Sequence, residues 1–219
     1  MKVIVPTVTT DSPAEYGQFL ETWCGVTDLI HIDVTDGSFA PSSTLNLNQL
    51  YWRGSRYNYK PSLHLMMRRP TDWIDQIVSL QPDSVLLHAE SDDAINKLPK
   101  MFEHLRRFGI SVGIALLPNT DVSSVKELIK LVDKVLVFGG HLGYQGGVAD
   151  LDQLRKIASI KAINNEAIIE WDGGANIDNI KQLSSSGCDV INVGGAISKS
   201  ENQVETYRKM VDILLSNTQ

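Results

Sequence analysis

Of the 5 histidines in the chain, His31, His64, His88 and His141 stand at or just past the ends of apolar runs, and only His104 falls inside a helical pattern. The densest group of ionisable residues is "HIDVTDG" at 31–37, where Leu29-Ile30 gives way to His31, Asp33 and Asp36 before Gly37. Alone, this reads as a polar turn after a strand, since Asp36-Gly37 is ordinary turn chemistry. Three other places carry the same mark: "LHLMM" with His64 and Met66, "LLHAE" with His88 and Glu90, and "EWDGG" with Asp172. The imidazoles of His31 and His64 with the carboxylates of Asp33 and Asp172 form a donor set suited to zinc, manganese or iron. Carboxylates on separate strands also suit general acid–base work. The alternative is a buried network of strand-end polar residues. His88 and Glu90 stand either behind such a set as supports or outside the chemistry.

Glycines form a second group. "DGGAN" at 172–176, with Gly173 and Gly174, and "VGGA" at 193–196, with Gly194 and Gly195, each run from an apolar segment toward a helix. Backbone N–H groups at such places hold phosphate, and glycine lets the backbone come close. Each Gly-Gly alone is also a common turn. "GYQGG" at 143–147, with Gly143, Gln145 and Gly146, reads as a loop able to close over a ligand or as a plain exposed loop.

These groups need a frame that brings distant segments together. Eight apolar runs read as strands: Val3–Val8, Asp28–Val34, Pro61–Met66, Ser84–His88, Ser111–Leu117, Lys134–Phe138, Ala167–Trp171 and Val190–Val193. Most are continuous rather than alternating, which suits parallel strands covered on both faces. Helical patterns lie between them at Ala14–Trp23, Thr71–Leu80, Asp92–Phe108, Val122–Val132, Leu151–Ile157, Ile177–Ser185 and Glu201–Leu215, with the weakest pattern in "APSSTLNLNQLYWRGS" after the second strand. Asp11-Ser12-Pro13, Ser91-Asp92 and Asn176 are helix-start signals, and Gly109 and Gly187 are stops. Eight βα units in one chain, with no linker or low-complexity stretch and no dinucleotide fingerprint after the first strand, predict a single (β/α)8 barrel domain over 1–219 rather than an open doubly wound sheet. Such a barrel builds its site at the C-terminal strand ends, where all of these residues fall. His31 and Asp33, two apart on one strand, share a face. Loops after the seventh and eighth strands are a common phosphate seat in barrels.

Composition excludes several alternatives. The chain has 219 residues, 42% hydrophobic and 21% charged, with net charge −6. No basic stripe for nucleic acid is expected at that balance, and no apolar run approaches a membrane span. Cys24 and Cys188 lack metal-type spacing and read as buried thiols of a reducing compartment. The N-terminal apolar run is broken by Pro6, too short for a signal sequence. A cytoplasmic location is expected.

The motifs resemble those of the ribulose-phosphate 3-epimerase family. Its "HIDVMDG.F.PN" stands here as "HIDVTDGSFAPSS", its "HLMV..P" as "HLMMRRP", its "VDGG" as "WDGG" and its "GSAIF" as "GGAIS", in order over nearly the whole chain. The resemblance implies a ribulose-phosphate-binding barrel, an isomerase of carbohydrate metabolism and the pentose phosphate pathway. It implies one divalent metal ion (zinc, manganese, iron or cobalt) on His31, Asp33, His64 and Asp172, with Asp33 and Asp172 as the acid–base pair. Proton transfer at C3 of a ketose phosphate would run through an enediolate, and substrate would meet Thr7, Met66, Gly143, Gly146, Gly173, Gly174, Gly194 and Gly195. A homo-oligomer is implied as well. The family's "PSIL" is "PTVT" here, so Thr7 supplies the usual serine hydroxyl. Thr35 and Phe138 replace methionines, Leu117 an asparagine and Gly195 a serine, and the loop "NPGFGGQ" becomes "HLGYQGG". The quartet is intact and the lining altered, as in a divergent member. Ribulose and xylulose 5-phosphate are the expected pair. A hexulose 6-phosphate such as allulose 6-phosphate is the alternative substrate, and a sugar-phosphate-binding barrel without turnover is the alternative of another class.

Overall fold

In a computed structural model that describes residues 2–54, 57–144 and 146–216, eight parallel strands close into a barrel in sequence order. They are β1 (Val3–Val8), β2 (Leu29–Thr35), β3 (Lys60–Met66), β4 (Ser84–His88), β5 (Ser111–Leu116), β6 (Lys134–Phe138), β7 (Ile168–Asp172) and β8 (Val190–Val193). β8 pairs with β1 to complete the ring, with Val5 opposite Asn192. The expected barrel is therefore present, and each expected strand matches an observed one to within a residue at either end.

The outward faces of the strands pack beneath the helices. Ile30, Ile32 and Val34 of β2 join one large apolar core with Leu20 and Trp23 of α1 (Pro13–Trp23) and with Leu98, Phe102 and Leu105 of α3 (Ala94–Arg107). The alternate, inward residues are different in kind. Around β4, β5 and β6, Leu86, Ala115, Leu136 and Phe138 form a separate small apolar cluster, between Ser84 and Lys134 below and His88 above. Around β7, β8, β1, β2 and β3 they are Glu170, Asp172, Asn192, Thr7, His31, Asp33 and His64, all buried. The lumen thus has an apolar patch on β4–β6 and a polar arc from β7 round to β3, and that arc carries His31, Asp33, His64 and Asp172.

Helix starts depart from the simple reading. Ser12 caps α1 as expected, its Oγ accepting from the Glu15 amide. Ser91-Asp92 does not cap α3: Asp93 is the cap residue, in a left-handed conformation, and its side chain accepts from Asn96 Nδ2 rather than from a helix amide. Asn176 instead closes a turn, accepting from the amides of Asp178 and Asn179. Expected helices after β3, β5 and β6 open as short 3-10 turns, at Pro70–Trp73, Val122–Val125 and Leu151–Arg155. They continue as α2 (Ile74–Leu80), α4 (Lys126–Ile129) and α5 (Lys156–Ile163). Asp121 and Asp150 cause two of these turns by accepting from amides two residues on. α6 (Ile180–Ser185) precedes β8. The one-turn α7 (Gly195–Ser198) and then α8 (Gln203–Leu215) follow it.

Among the described residues of the segment after β2, the helical structure is a 3-10 turn at Leu47–Gln49, closed by a capping box of Asn46 and Gln49, while Leu45, Leu47, Leu50 and Trp52 are buried. In the "YWRGSRYNY" stretch, Ser55 and Arg56 lie outside the described residues. Cys188 is buried, but Cys24, at the C-terminal cap of α1, is exposed, contrary to expectation. No helix among the described residues is long and apolar enough to cross a membrane.

Candidate metal and substrate site

β2 pairs with β3 in a register that sets Asp33 opposite His64, and β7 pairs with β8 with Asp172 opposite Asn192. The pleat turns His31, Asp33, His64 and Asp172 into the lumen near its open end. Each offers one donor atom, and the four atoms lie within 4.8 Å of one another. His64 Nδ1 is 3.0 Å from Asp33 Oδ1 and 3.5 Å from Asp172 Oδ2. Thr9 donates its hydroxyl to Asp33 Oδ2 at 2.6 Å. His31 and His64 are fully buried.

His31 is the informative member. Its Nε2 stands 3.3 Å from Asp33 Oδ1, yet neither ring nitrogen has a hydrogen-bond partner. Buried polar atoms without partners are costly and mark a place where a further group completes the set. Two imidazole nitrogens and two carboxylate oxygens, with one histidine unspent, fit a divalent cation.

Electrostatics agrees with a negatively charged pocket. Burial pushes the Asp33 carboxyl up, but His31 and His64 outweigh it and hold it well below the usual carboxylate range. Burial likewise works against charge on His64, and its bonds to Asp172 and Asp33 prevail, raising it to about 9. His88, buried and facing His64, is pushed down to about 4.

Beneath the quartet lies a polar floor. Lys134 Nζ makes an ion pair with Glu170 Oε1 at 3.1 Å and donates to Ser84 Oγ at 3.0 Å. Asn192 Nδ2 donates to Glu170 Oε2 at 3.2 Å. Burial raises the Glu170 carboxyl, but Lys134 first, then His31 and Asn192, bring it below its ordinary value.

Above the quartet opens a cavity of about 230 Å³. Asp33 and Asp172 form part of its base, Met66 and Phe138 an apolar wall, and Thr7 and Asn192 a polar edge. Gly143, Gly146, Gly173, Gly174, Gly194 and Gly195 all line it, so every residue assigned to substrate from the sequence reaches this one cavity. Gly173 and Gly174 have a structural reason of their own. With φ of +113° and +65°, they lie against the loop after β6, where a Cβ would come within 2.2 Å of the Gly140 nitrogen and 2.3 Å of the Ala149 nitrogen respectively. Gln145 lies outside the described residues.

Other expectations are redistributed. Asp36 stays in the turn, accepting from the amide and hydroxyl of Ser38. Thr35 and Leu117 are not among the residues lining the cavity: the Thr35 hydroxyl donates to the Ser42 carbonyl, tying down the loop after β2. Of the altered positions, Phe138 and Gly195 do line it. Sequence reasoning missed Thr9, whose signal was the second threonine of "PTVT", and Lys199, which lines the cavity beside Gly146.

Comparison with known proteins gives a consistent picture. Residues 3–198 match the pattern described as the ribulose-phosphate 3 epimerase family. The chain is 27% identical to ribulose-phosphate 3-epimerase of Aquifex aeolicus, over 99% of this chain and 98% of that one. It is 31% identical to the enzyme of that name from Treponema pallidum, over 76% and 77% respectively. Among solved structures, 3-hexulose-6-phosphate synthase from Salmonella typhimurium superposes with a TM-score of 0.74 at 16% identity, covering 99% of this chain and 100% of that one. At that identity the likeness speaks for the barrel alone.

Proposed function

The chain belongs to the ribulose-phosphate 3-epimerase family, and from that premise we propose that it interconverts D-ribulose 5-phosphate and D-xylulose 5-phosphate by moving the proton at C3. The observation that carries this reading is the placing of two carboxylates, Asp33 on β2 and Asp172 on β7, at the base of one cavity on either side of His64.

A hydrogen on C3, next to the C2 ketone, is acidic enough for a positioned carboxylate to remove. One aspartate, ionised, takes it, leaving a planar enediolate, and the other, which enters the step protonated, gives its proton to the opposite face, inverting the centre. The roles exchange for the reverse reaction. Asp33 is suited to the part because it is held ionised, with Thr9 fixing one oxygen. His31, Asp33, His64 and Asp172 would hold one divalent cation (zinc, manganese, iron or cobalt), which when bound supplies Lewis-acid stabilisation of the negative charge developing on substrate oxygens. Met66 and Phe138 form a wall that keeps water from the flat intermediate. The phosphate end would lie against the glycine loops after β6, β7 and β8, with Thr7 at the sugar end. The altered Phe138 and Gly195 favour a second reading with the same chemistry, in which a hexulose 6-phosphate such as allulose 6-phosphate is the substrate.

The test is exchange of the C3 hydrogen with deuterated solvent, on metal-loaded protein and a panel of ketose phosphates. Wild type should convert ribulose 5-phosphate to xylulose 5-phosphate carrying one deuterium at C3, and Asp172→Asn should form no epimer. Undiminished epimerisation in Asp172→Asn would overturn the two-carboxylate reading, and preference for a six-carbon substrate would transfer it to the hexulose.

A further inference from the structure

Behind His64, on the side away from the cavity, two side chains form a chain of contacts that the proton transfer does not use. Glu90 Oε2 is 3.1 Å from His88 Nδ1, and His88 Nε2 is 3.0 Å from His64 Nε2. The other oxygen of Glu90 accepts from the Leu117 amide at 2.9 Å and from the Thr120 hydroxyl. Neither His88 nor Glu90 lines the cavity.

We infer that Glu90 and His88 are positioning residues that fix the proton of His64 on Nε2, leaving Nδ1 as the donor atom that faces Asp33 and Asp172. This rests on the reading above that the quartet holds a cation. It follows from counting protons along the line. An ionised carboxylate can only accept. The nitrogen facing Glu90, His88 Nδ1, therefore carries a hydrogen. A neutral imidazole has one N–H, so His88 Nε2 presents a lone pair to His64. Two ring nitrogens 3.0 Å apart share one proton, and it belongs to His64 Nε2. The opposite assignment would aim the lone pair of His88 Nδ1 at the Glu90 carboxylate. His64 Nδ1 lies 3.0 Å from Asp33, and it gives up the proton it offers there when a cation takes its place in the quartet.

The ring of His88 is also held in plane. Phe39 packs against it at 4.6 Å between centroids, and Phe138 meets it edge-on at 6.5 Å. Through Leu117 and Thr120, the loop after β5 anchors the far end. Metal-binding histidines generally donate their second N–H to a partner that sets the tautomer. Here that partner is a second histidine, itself set by a carboxylate.

The experiment compares zinc affinity, by competition with a chromogenic chelator, in wild type, His88→Leu and His88→Gln. Leucine fills the space without accepting a hydrogen bond, whereas the glutamine carbonyl can accept from His64 Nε2–H. His88→Leu should bind zinc about 10–100-fold more weakly than wild type, and His88→Gln should recover most of the loss. A ring that only filled space would show the reverse order. Long-range nitrogen-15 spectra of zinc-loaded wild type give an answer that needs no variant to fold: His64 should carry its proton on Nε2 and bind zinc through Nδ1. Zinc on His64 Nε2, or wild-type affinity in His88→Leu, would overturn the relay while leaving the metal reading standing. Failure of the wild type to bind zinc would remove both.

Discussion

Removing the ammonium of Lys134 should expose how much of the fold depends on the charge buried beneath the site. In Lys134→Met the methylene stem is largely preserved, but Glu170, 1% exposed, loses the cation 3.1 Å away. The Asn192 amide remains as a donor, which is not enough to neutralise a carboxylate. Stripping one partner from a buried pair costs about 3–5 kcal/mol. At roughly 2–4 °C per kcal/mol for a chain of this size, the melting temperature should fall by roughly 6–20 °C. The double variant Lys134→Met/Glu170→Gln removes the stranded charge and should recover most of that. The sign with pH follows from Glu170 lying below its ordinary 4.5 in the folded protein. Its contribution is present above the unfolded value and is lost as pH falls through the folded one, so the gap between wild type and Lys134→Met should be widest near neutrality and narrow on acidification. Urea titration with an unchanged m-value, at several pH values, measures it. A loss within about 1 kcal/mol, the worth of an exposed pair, or a double variant no better than the single, would refute the reasoning.

Two further outcomes are expected. Zinc at about 100 times its dissociation constant should stabilise the protein by about 2.7 kcal/mol, read as a rise in melting temperature. His31→Ala should lose most of that rise under the same conditions, and an equal rise would show that His31 is not a ligand. Thr9→Val should lower kcat/KM at least about tenfold by taking a hydroxyl from an ionised carboxylate, and an unchanged value in steady-state assays would mean that Asp33 needs no such restraint.

The frame was readable because parallel strands buried on both sides leave uninterrupted apolar runs, and because His31, Asp33, His64 and Asp172 interrupt that pattern where no packing reason exists for them. The helices were less readable. Asp121 and Asp150 can begin either an α-helix or a tight turn, and local side-chain bonds chose the turn first. Asn176 and Ser91 show the same ambiguity of short polar residues. Thr9 was hidden, and the sequence left His88 and Glu90 open between support and bystander, for another reason: their meaning lies in contacts between strands, and spacing along one strand carries no trace of the partner. The Thr35 and Leu117 substitutions look like changes of the pocket lining in sequence, but in space Thr35 ties down the loop after β2 and Leu117 packs against the apolar cluster that holds Phe138.

Gly139, Gly140, Gly173 and Gly174 let two neighbouring loops run almost against each other, with Trp171 filling the place where a Gly139 side chain would be and donating its Nε1–H to the Gly173 carbonyl. Such loops cannot be exchanged one at a time. A recombination that imports the segment after β6 from another barrel would drive side chains into the resident backbone after β7, so evolution and engineering alike must inherit the pair as a single cassette. The loops after β2 and β8 lean on this cassette more lightly: a Cβ on Gly143 or Gly146 would first meet the side chains of Ser42 and Lys199, which can move aside, so innovation in what this scaffold accepts is channelled there.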